Sequence, residues 1–235
     1  NDIEDDLLGI YKPQAEMAGF SAKQLPDEIV FDLLNNGFTA PCYDGQYFFD
    51  VDHAVKGASV SNKGTKKLSV ASQAAAQASF GAARTAMRSF KDDEGRPLNV
   101  KPDVLVVPPA LEDIANALMT VDRLEDGKPN PYKGACKVIV DGHLISDTAW
   151  FLLDTTKVIK PLLYQKRRDY AFTAKTSLTD DNVFSRNEFV WGADGRGNAG
   201  LGLWQLAYAS KQTLDVNSYA DARASHQSLR GDNGK

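Results

Sequence analysis

The 235-residue sequence has few of the features that mark a membrane segment, a disulfide framework or a metal site. No apolar run approaches the roughly 20 residues that a membrane-spanning helix needs, and the sequence predicts no signal peptide. The two cysteines, Cys42 and Cys136, are far apart. This spacing gives neither a disulfide framework nor a zinc pattern, and it favours a reducing compartment.

An excess of positive charge is also lacking, since the net charge is -4 and the pI is about 5.4. A protein that grips a nucleic-acid backbone usually carries a dominant basic face, which this composition does not indicate. Short basic groups are expected to be solvated surface. They are Lys63 with Lys66 and Lys67, Arg84 with Arg88, and Lys166-Arg167-Arg168.

What the sequence does have is an ordinary globular composition, with 43% hydrophobic and 25% charged residues. Its length is enough for one large domain or two modest ones with a real core. Four acids in residues 2–6 predict a helix N-terminus. A second helix start is predicted at Pro26-Asp27-Glu28, with Asn36-Gly37 as the stop. Alanine-rich Val70–Phe90 and amphipathic Leu111–Met119 predict two further helices.

Short apolar runs between these helices predict strands. Residues 38–67 are expected to be irregular with short strands, whereas Val104–Val107 predicts a buried strand. Further strands are predicted at Cys136–Val140, Trp150–Leu153, Pro161–Gln165, Tyr170–Thr176, Phe184–Trp191 and Gly200–Ala209. The class is therefore α+β, with helices in the early and middle parts and a strand-rich end.

The segment Gly195–Gly200 formally matches the G-x-G-x-x-G pattern of dinucleotide-binding loops. Such a loop must lie between a strand and a helix, because the helix N-terminus holds the pyrophosphate. Here the segment is followed by alternating, strand-like residues. We therefore predict a hairpin turn whose glycines adopt positive φ, and no cofactor.

The best candidates for metal or catalytic chemistry are Asp50, Asp52 and His53, whose oxygen and nitrogen ligands suit several divalent ions. Aspartates at the end of an aromatic strand are more often turn residues, which is the favoured interpretation. His143 and His226 have no obvious partner in sequence. Cys42 is expected to be a buried thiol, because no base for it is marked nearby.

Lys166, Arg167 and Arg168, interleaved with Tyr164 and Tyr170, are typical either of a nucleic-acid contact or of a charged strand edge. No set of residues converges on one reaction. We therefore expect no catalytic, cofactor-binding or metal site, and no enzyme.

Long stretches of the sequence resemble the major head subunit (major capsid protein) family of Mu-like phages and prophages. They are NDIEDDLLGIYKP at 1–13, PDEIVFDLL at 26–34, CYDGQYFFDVDH at 42–53, FKDDEGRPL at 90–98, KPDVLVVPPALEDIANAL at 101–118, NPYKG at 130–134, WFLLDTTKVIKPLLYQKR at 150–167 and VFSRNEFVWGADGRGNAGLGLWQLAYASK at 183–211. Together they run over nearly the whole chain.

The resemblance implies a Hong Kong 97-type capsid fold, in which a peripheral domain with a spine helix and long antiparallel strands accompanies an axial domain. By order, 1–37 would be the end of the extended loop and the spine helix, 38–160 the axial domain, and 161–211 the peripheral strands. The N-terminal arm and most of the extended loop are expected to be absent upstream of Asn1. Pro26 predicts a kink or break in the spine helix.

The last segment, 212–235, is expected to be a helix–turn unit. Its residues 218–235 align without gaps to 79–96, with six identical positions. Two alternative explanations of this internal similarity remain open: chance, and a duplicated or transposed axial helix unit.

The resemblance implies a structural subunit that self-assembles into the icosahedral shell around phage DNA. Expected partners are copies of itself, the scaffold and portal proteins of the head, and packaged DNA contacted weakly and non-specifically, with no membrane. The protein is expected in the host cytoplasm before assembly and in the virion capsid afterwards. The alternatives are a divalent-metal enzyme using Asp50, Asp52 and His53, and a cellular cargo-enclosing compartment of the same fold.

Overall fold

The computed structural model describes residues 11–186 and 188–212, and the chain divides into two compact units. The first unit contains Asn1–Phe48 and Lys157–Trp204, and the second contains Phe49–Thr156 and Gln205–Lys235. In the part of the chain that is described, no helix is long and apolar enough to cross a bilayer. Helices and strands are mixed, which confirms the α+β class.

The helices are α1 (Tyr11–Asn36), α2 (Gln73–Ala76), α3 (Ala82–Ser89), α4 (Glu112–Thr120) and α5 (Asp181–Arg186), with a π-helical turn at Gln77–Gly81 and 3-10 turns at Pro109–Leu111 and Trp204–Leu206. The strands are β1 (His53–Val55), β2 (Ala58–Val60), β3 (Lys63–Gly64), β4 (Val104–Val107), β5 (Lys137–Val140), β6 (Trp150–Leu153), β7 (Leu162–Lys175), β8 (Val190–Leu201) and β9 (Ala207–Ser210). The predicted helix start at residues 2–6 and the predicted unit at 212–235 lie outside the described residues, except for residue 212.

In the first unit, α1 is a single helix of 26 residues that contains Pro26. The separate helix start predicted at Pro26 is therefore wrong, and no break occurs there. An interior proline removes one backbone donor and crowds the carbonyl four residues earlier, so the helix needs stabilisation from elsewhere. Contacts of α1 with β7 and β8 supply stabilisation that a local sequence pattern does not include. The predicted stop is confirmed, because the helix ends at Asn36 and the Gly37 N–H donates to the Leu34 carbonyl at 3.3 Å.

The first unit also contains an antiparallel ribbon of β7 and β8, and α5 lies in the connection between these two strands. The strands predicted at Pro161–Gln165 and Tyr170–Thr176 join into one long strand, β7. The strand predicted at Phe184–Trp191 is wrong in its first half, because Asp181–Arg186 is helical. Within this short helix the Asn182 side-chain amide donates to the carbonyls of Lys175 and Glu188, so it connects α5 to the segments on either side.

The predicted hairpin turn at Gly195–Gly200 is also wrong, because the whole segment lies inside β8. Gly195 and Gly197 do not have positive φ. Each of them instead lies under a tyrosine ring from the neighbouring strand. A Cβ on Gly195 would be 2.5 Å from Tyr170, and a Cβ on Gly197 would collide with the Tyr164 hydroxyl. These glycines therefore provide space for cross-strand aromatic packing and not a turn.

The second unit is built on a five-stranded mixed sheet with the order β3-β9-β6-β4-β5. The β3–β9 and β4–β5 pairs are parallel, and the other pairs are antiparallel. All four residues of β4 and of β6 are buried, which confirms both strand predictions. The strand predicted at Gly200–Ala209 is instead divided into the end of β8, a 3-10 turn and β9. Gly202 lies at this division, where its N–H donates to the Pro161 carbonyl at 2.8 Å and a Cβ would collide with the Lys160 carbonyl oxygen.

The helix predicted at Val70–Phe90 is confirmed in the second unit, where helical residues run from Gln73 to Ser89. The Ser72 hydroxyl accepts the Ala75 N–H at 3.0 Å and caps the first turn. The helix predicted at Leu111–Met119 is confirmed as α4, which ends one residue later at Thr120.

Two aspartates fasten the end of β6 to the segment that leads into β4. The Asp154 side chain is fully buried. It accepts the Lys101 N–H at 2.7 Å, the Thr156 N–H at 2.8 Å and the Thr156 hydroxyl at 2.6 Å. Asp103 accepts the N–H and the hydroxyl of Thr155, each at 2.6 Å. The carboxylates thus satisfy backbone donors at the ends of two central strands.

Candidate functional surfaces

The candidate metal residues Asp50, Asp52 and His53 lie in the second unit, but they do not form a ligand set. His53 is fully buried, and its Nε2 lies 3.2 Å from the Asn62 side-chain oxygen. The same oxygen accepts the Asp50 N–H at 2.9 Å. Asp52 is exposed. Over residues 11–186 and 188–212, no group of three or more His, Cys, Asp or Glu side chains is arranged to hold a metal ion.

Asn62 has a structural role that sequence reasoning missed. Its side-chain amide donates to the Ala207 carbonyl at 3.3 Å, and its backbone carbonyl accepts the Ala209 N–H at 3.0 Å. His53 and Asn62 thus connect the β1–β2 hairpin to β9, which is about 145 residues away in sequence. No local pattern marks such a long-range pair. The geometry is that of a satisfied buried network, which stabilises the unit when every polar atom is paired.

The other histidines and the cysteines also occupy structural positions where they are described. His143 has a partner, contrary to the expectation from the sequence: its Nδ1 lies 2.7 Å from the Asp141 carboxylate, and the D-x-H spacing is the signal that could have indicated this pair. His226 lies outside the described residues. Burial raises the pKa of the Cys42 thiol, and it raises the pKa of Cys136 to about 12. Both shifts are opposite to those of activated nucleophiles.

The basic group at 166–168 lies where β7 is irregular. The register with β8 shifts between Lys166 and Arg168 and again between Arg168 and Ala171. Lys166 pairs with Asp169 at 2.6 Å, and Arg168 pairs with Asp194. A charged, bulged strand is one that other strands do not join easily. These ion pairs support the edge-protecting interpretation for two of the three cations.

Exposed apolar side chains are the main surface feature of the first unit. On the ribbon they include Leu178 at 81% exposure and Phe184 at 87%, both near α5. On α1 they include Met17 at 68% and Phe20 at 62%. Single exposed apolar residues are ordinary, but several on one unit indicate a surface that contacts another protein.

Comparisons with known proteins identify the family of this chain. The family model of the Mu-like prophage major head subunit gpT matches residues 1–71, 63–144 and 145–235. The major capsid protein of Escherichia phage Mu is 31% identical over 235 residues, which cover 100% of this chain and 55% of that protein. The Mu-like prophage FluMu major head subunit of Haemophilus influenzae is 31% identical over 234 residues, which cover 100% of this chain and 54% of that protein.

Solved structures give the same result. A chain of the bacteriophage JBD30 capsid decorated with minor capsid protein trimers superposes with a TM-score of 0.55 at 27% identity, over 61% of this chain and 70% of that one. A second structure of the bacteriophage JBD30 capsid matches with the same TM-score and identity, over 61% and 71%. The fold is therefore that of a phage capsid protein.

The chain spans about half the length of the curated relatives it matches. The family match nevertheless extends over all of its 235 residues and confirms the resemblance found in the sequence. This chain belongs to the Mu-like prophage major head subunit family.

Proposed function

We propose that the protein is a structural subunit of a phage head, which associates with copies of itself to form the icosahedral shell around phage DNA. The observation that carries this proposal is family membership over the whole chain, together with the JBD30 capsid likeness. The exposed apolar side chains of the first unit support it, because association with neighbouring copies would bury them. The role is structural and not enzymatic.

The finer architecture is part of the proposal, and the two units support it. The first unit combines a 26-residue helix with a long antiparallel ribbon, which supports its assignment as the peripheral domain with α1 as the spine helix of a Hong Kong 97-type fold. The mixed sheet of the second unit supports its assignment as the axial domain. The boundaries expected from the sequence are 1–37 and 161–211 for peripheral segments, 38–160 for the axial domain and 212–235 for a terminal helix–turn unit. The two compact units instead divide after Phe48, Thr156 and Trp204, so residues 38–48 and 157–160 belong to the first unit and β9 belongs to the second.

Partners and location are part of the same proposal. The subunit contacts other copies of itself, a scaffold protein and a portal protein, and it contacts packaged DNA weakly. A net charge of -4 suits this role, since a shell protein must contain DNA without gripping its backbone tightly. The protein then exists in the host cytoplasm before assembly and in the virion capsid afterwards.

The test is to express the complete gene product with its scaffold and protease and to examine it by electron microscopy. Large closed particles are the expected result, because closed symmetry multiplies contacts that are individually weak. A complete product that remains strictly monomeric during this co-expression would refute the proposal.

A further inference from the structure

A groove on the second unit combines two arginines that have no acidic partner in the described residues. Arg84 and Arg88 lie one turn apart on α3, whose sequence contains no acid. They line a groove of about 550 Å³ together with Gly81, Thr85 and Tyr132, among others. Like charges at this spacing repel each other and destabilise a helix slightly. The helix C-terminus favours Arg88, but Arg84 has no such compensation.

Arg84 also places at this groove a hydrogen-bond donor without an acceptor among the described residues. Its Nε is buried and makes no hydrogen bond to any residue that the structure describes. A buried donor of this kind costs free energy unless water, a ligand or another chain supplies an acceptor. Several other cations of the second unit do have acidic partners: Arg96 pairs with Asp92, and Lys133 pairs with Asp122.

The wall of the groove is built by the π-helical turn that precedes α3. Phe80 packs edge-on against Tyr132, with 5.2 Å between the ring centroids and an interplanar angle of 70°. Gly81 leaves the space that the Tyr132 hydroxyl occupies, because a Cβ there would collide with it. Tyr132 is largely buried, and it lines the groove together with Arg84. π-helical turns are rare and occur frequently at functional sites.

We propose that this groove binds the acidic segment Asp2–Asp6 of a second copy of the chain. The segment carries four carboxylates in five residues and no base before Lys12, so its charge complements the two arginines. It lies outside the described residues. Carboxylates match the fork of a guanidinium and would satisfy the buried Nε. The inference rests on the proposed function, since it specifies one contact between subunits.

A nucleic-acid strand is the competing occupant, and the observations favour it less. Strands of DNA are bound by grooves with many cations and with stacked aromatic rings. Here two arginines are available, and Tyr132 is largely buried and already packed against Phe80. A short acidic peptide needs only a few such contacts, and weak contacts are sufficient where closed symmetry repeats them.

The experiment measures binding of a fluorescent peptide, residues 1–10 of this chain, to the 235-residue protein by anisotropy. In the protein, the acids of its own N-terminal segment are replaced by amides (Asp2→Asn, Glu4→Gln, Asp5→Asn and Asp6→Asn). This segment then cannot compete with the labelled peptide for the groove. Against this background, Arg84→Gln with Arg88→Gln is compared with Lys56→Gln plus Lys91→Gln, which removes the same charge from another groove of the unit. Circular dichroism is the check that both variants are folded.

We expect the arginine pair variant to weaken peptide binding about 10-fold or more, and the lysine pair variant to weaken it by about 2-fold or less. A peptide whose acids are replaced by amides should not bind measurably. Equal binding by both protein variants, or no binding of the peptide at all, would overturn the inference. Preferential binding of a labelled oligothymidylate through Arg84 and Arg88 would overturn it in favour of nucleic acid.

The two proposals fail separately. If the complete gene product assembles into particles while the peptide does not bind, only this contact is refuted. If the peptide binds through the two arginines while the complete product stays monomeric, the shell function is refuted and the groove remains a binding site for acidic segments.

Discussion

Replacement of Asp154 by alanine is expected to destabilise the second unit by about 3 kcal/mol. The carboxylate is fully buried and accepts two backbone N–H groups, from Lys101 and Thr156, besides one hydroxyl. Hydrogen bonds to a charged group contribute roughly 1.5–3 kcal/mol each, and we take the lower figure for each amide because both bonds are only part-buried. The Thr156 hydroxyl can turn to another acceptor, so it adds little.

The measurement is urea unfolding followed by tryptophan fluorescence. Trp150 is fully buried in the same sheet, so unfolding of this unit exposes it and changes an emission to which Trp191 and Trp204 of the first unit also contribute. In a thermal unfolding experiment on a chain of this size, the same loss of about 3 kcal/mol would lower Tm by roughly 6–12 °C. Asp154→Asn should lose about 2 kcal/mol, because one acceptor oxygen is kept while the new NH₂ faces a donor.

The matched control is Asp147→Ala, the same change at an exposed position shortly before β6. It should alter stability by about 0.5 kcal/mol or less. If Asp154→Ala unfolds at the same urea concentration as Asp147→Ala, then the buried carboxylate does not fasten β6 to the approach to β4, and the reasoning fails.

Three further predictions concern other parts of the fold. Gly197→Val should destabilise the ribbon by about 1–3 kcal/mol, measured by thermal unfolding, because its side chain would displace the tyrosine that covers this glycine. Ser72→Ala should cost about 1 kcal/mol in urea unfolding through loss of the helix cap. In a Cys42→Ala background, Cys136 should react with Ellman's reagent at pH 8 at least about 10-fold more slowly in native than in unfolded protein, since burial raises its pKa to about 12 and the unfolded thiol ionises near pH 9.

Each of these predictions has its own control. Gly192→Ala, where a Cβ would meet only an ordinary contact at 3.9 Å, should be tolerated better than Gly197→Val, and equal losses would argue against the space requirement. Ser89→Ala, at an exposed helix end, should change stability less than Ser72→Ala. Native Cys136 should gain reactivity steadily as pH rises from 9 towards 12; a plateau above pH 9 would contradict the raised pKa.

The raised pKa of Cys136 also makes the stability of the fold depend on pH. The folded thiol prefers the neutral form more strongly than the unfolded thiol does, so its contribution is complete below the unfolded pKa of 9.0. That contribution is lost as pH rises from 9.0 through the folded value of about 12. The effect therefore belongs to the alkaline range and leaves stability near neutral pH unchanged.

Local sequence was sufficient where one short segment carries its own signal. Four consecutive apolar residues predicted β4, because a strand buried on both faces needs no alternation. Alanine content and the absence of proline predicted the helical run from Gln73 to Ser89. The long stretches of family resemblance identified the fold of a capsid protein, since they extend over nearly the whole chain.

Only the tertiary structure decided the segments whose conformation depends on distant residues. Gly195–Gly200 contains three glycines typical of a turn, yet tyrosines from β7 cover two of them and the segment is a strand. Pro26 remains inside α1, which contacts the ribbon strands. His53, a candidate metal ligand by sequence, is instead part of a buried hydrogen-bond network with Asn62 and β9. In each case the stabilising partner comes from another part of the chain, so a local pattern does not contain it.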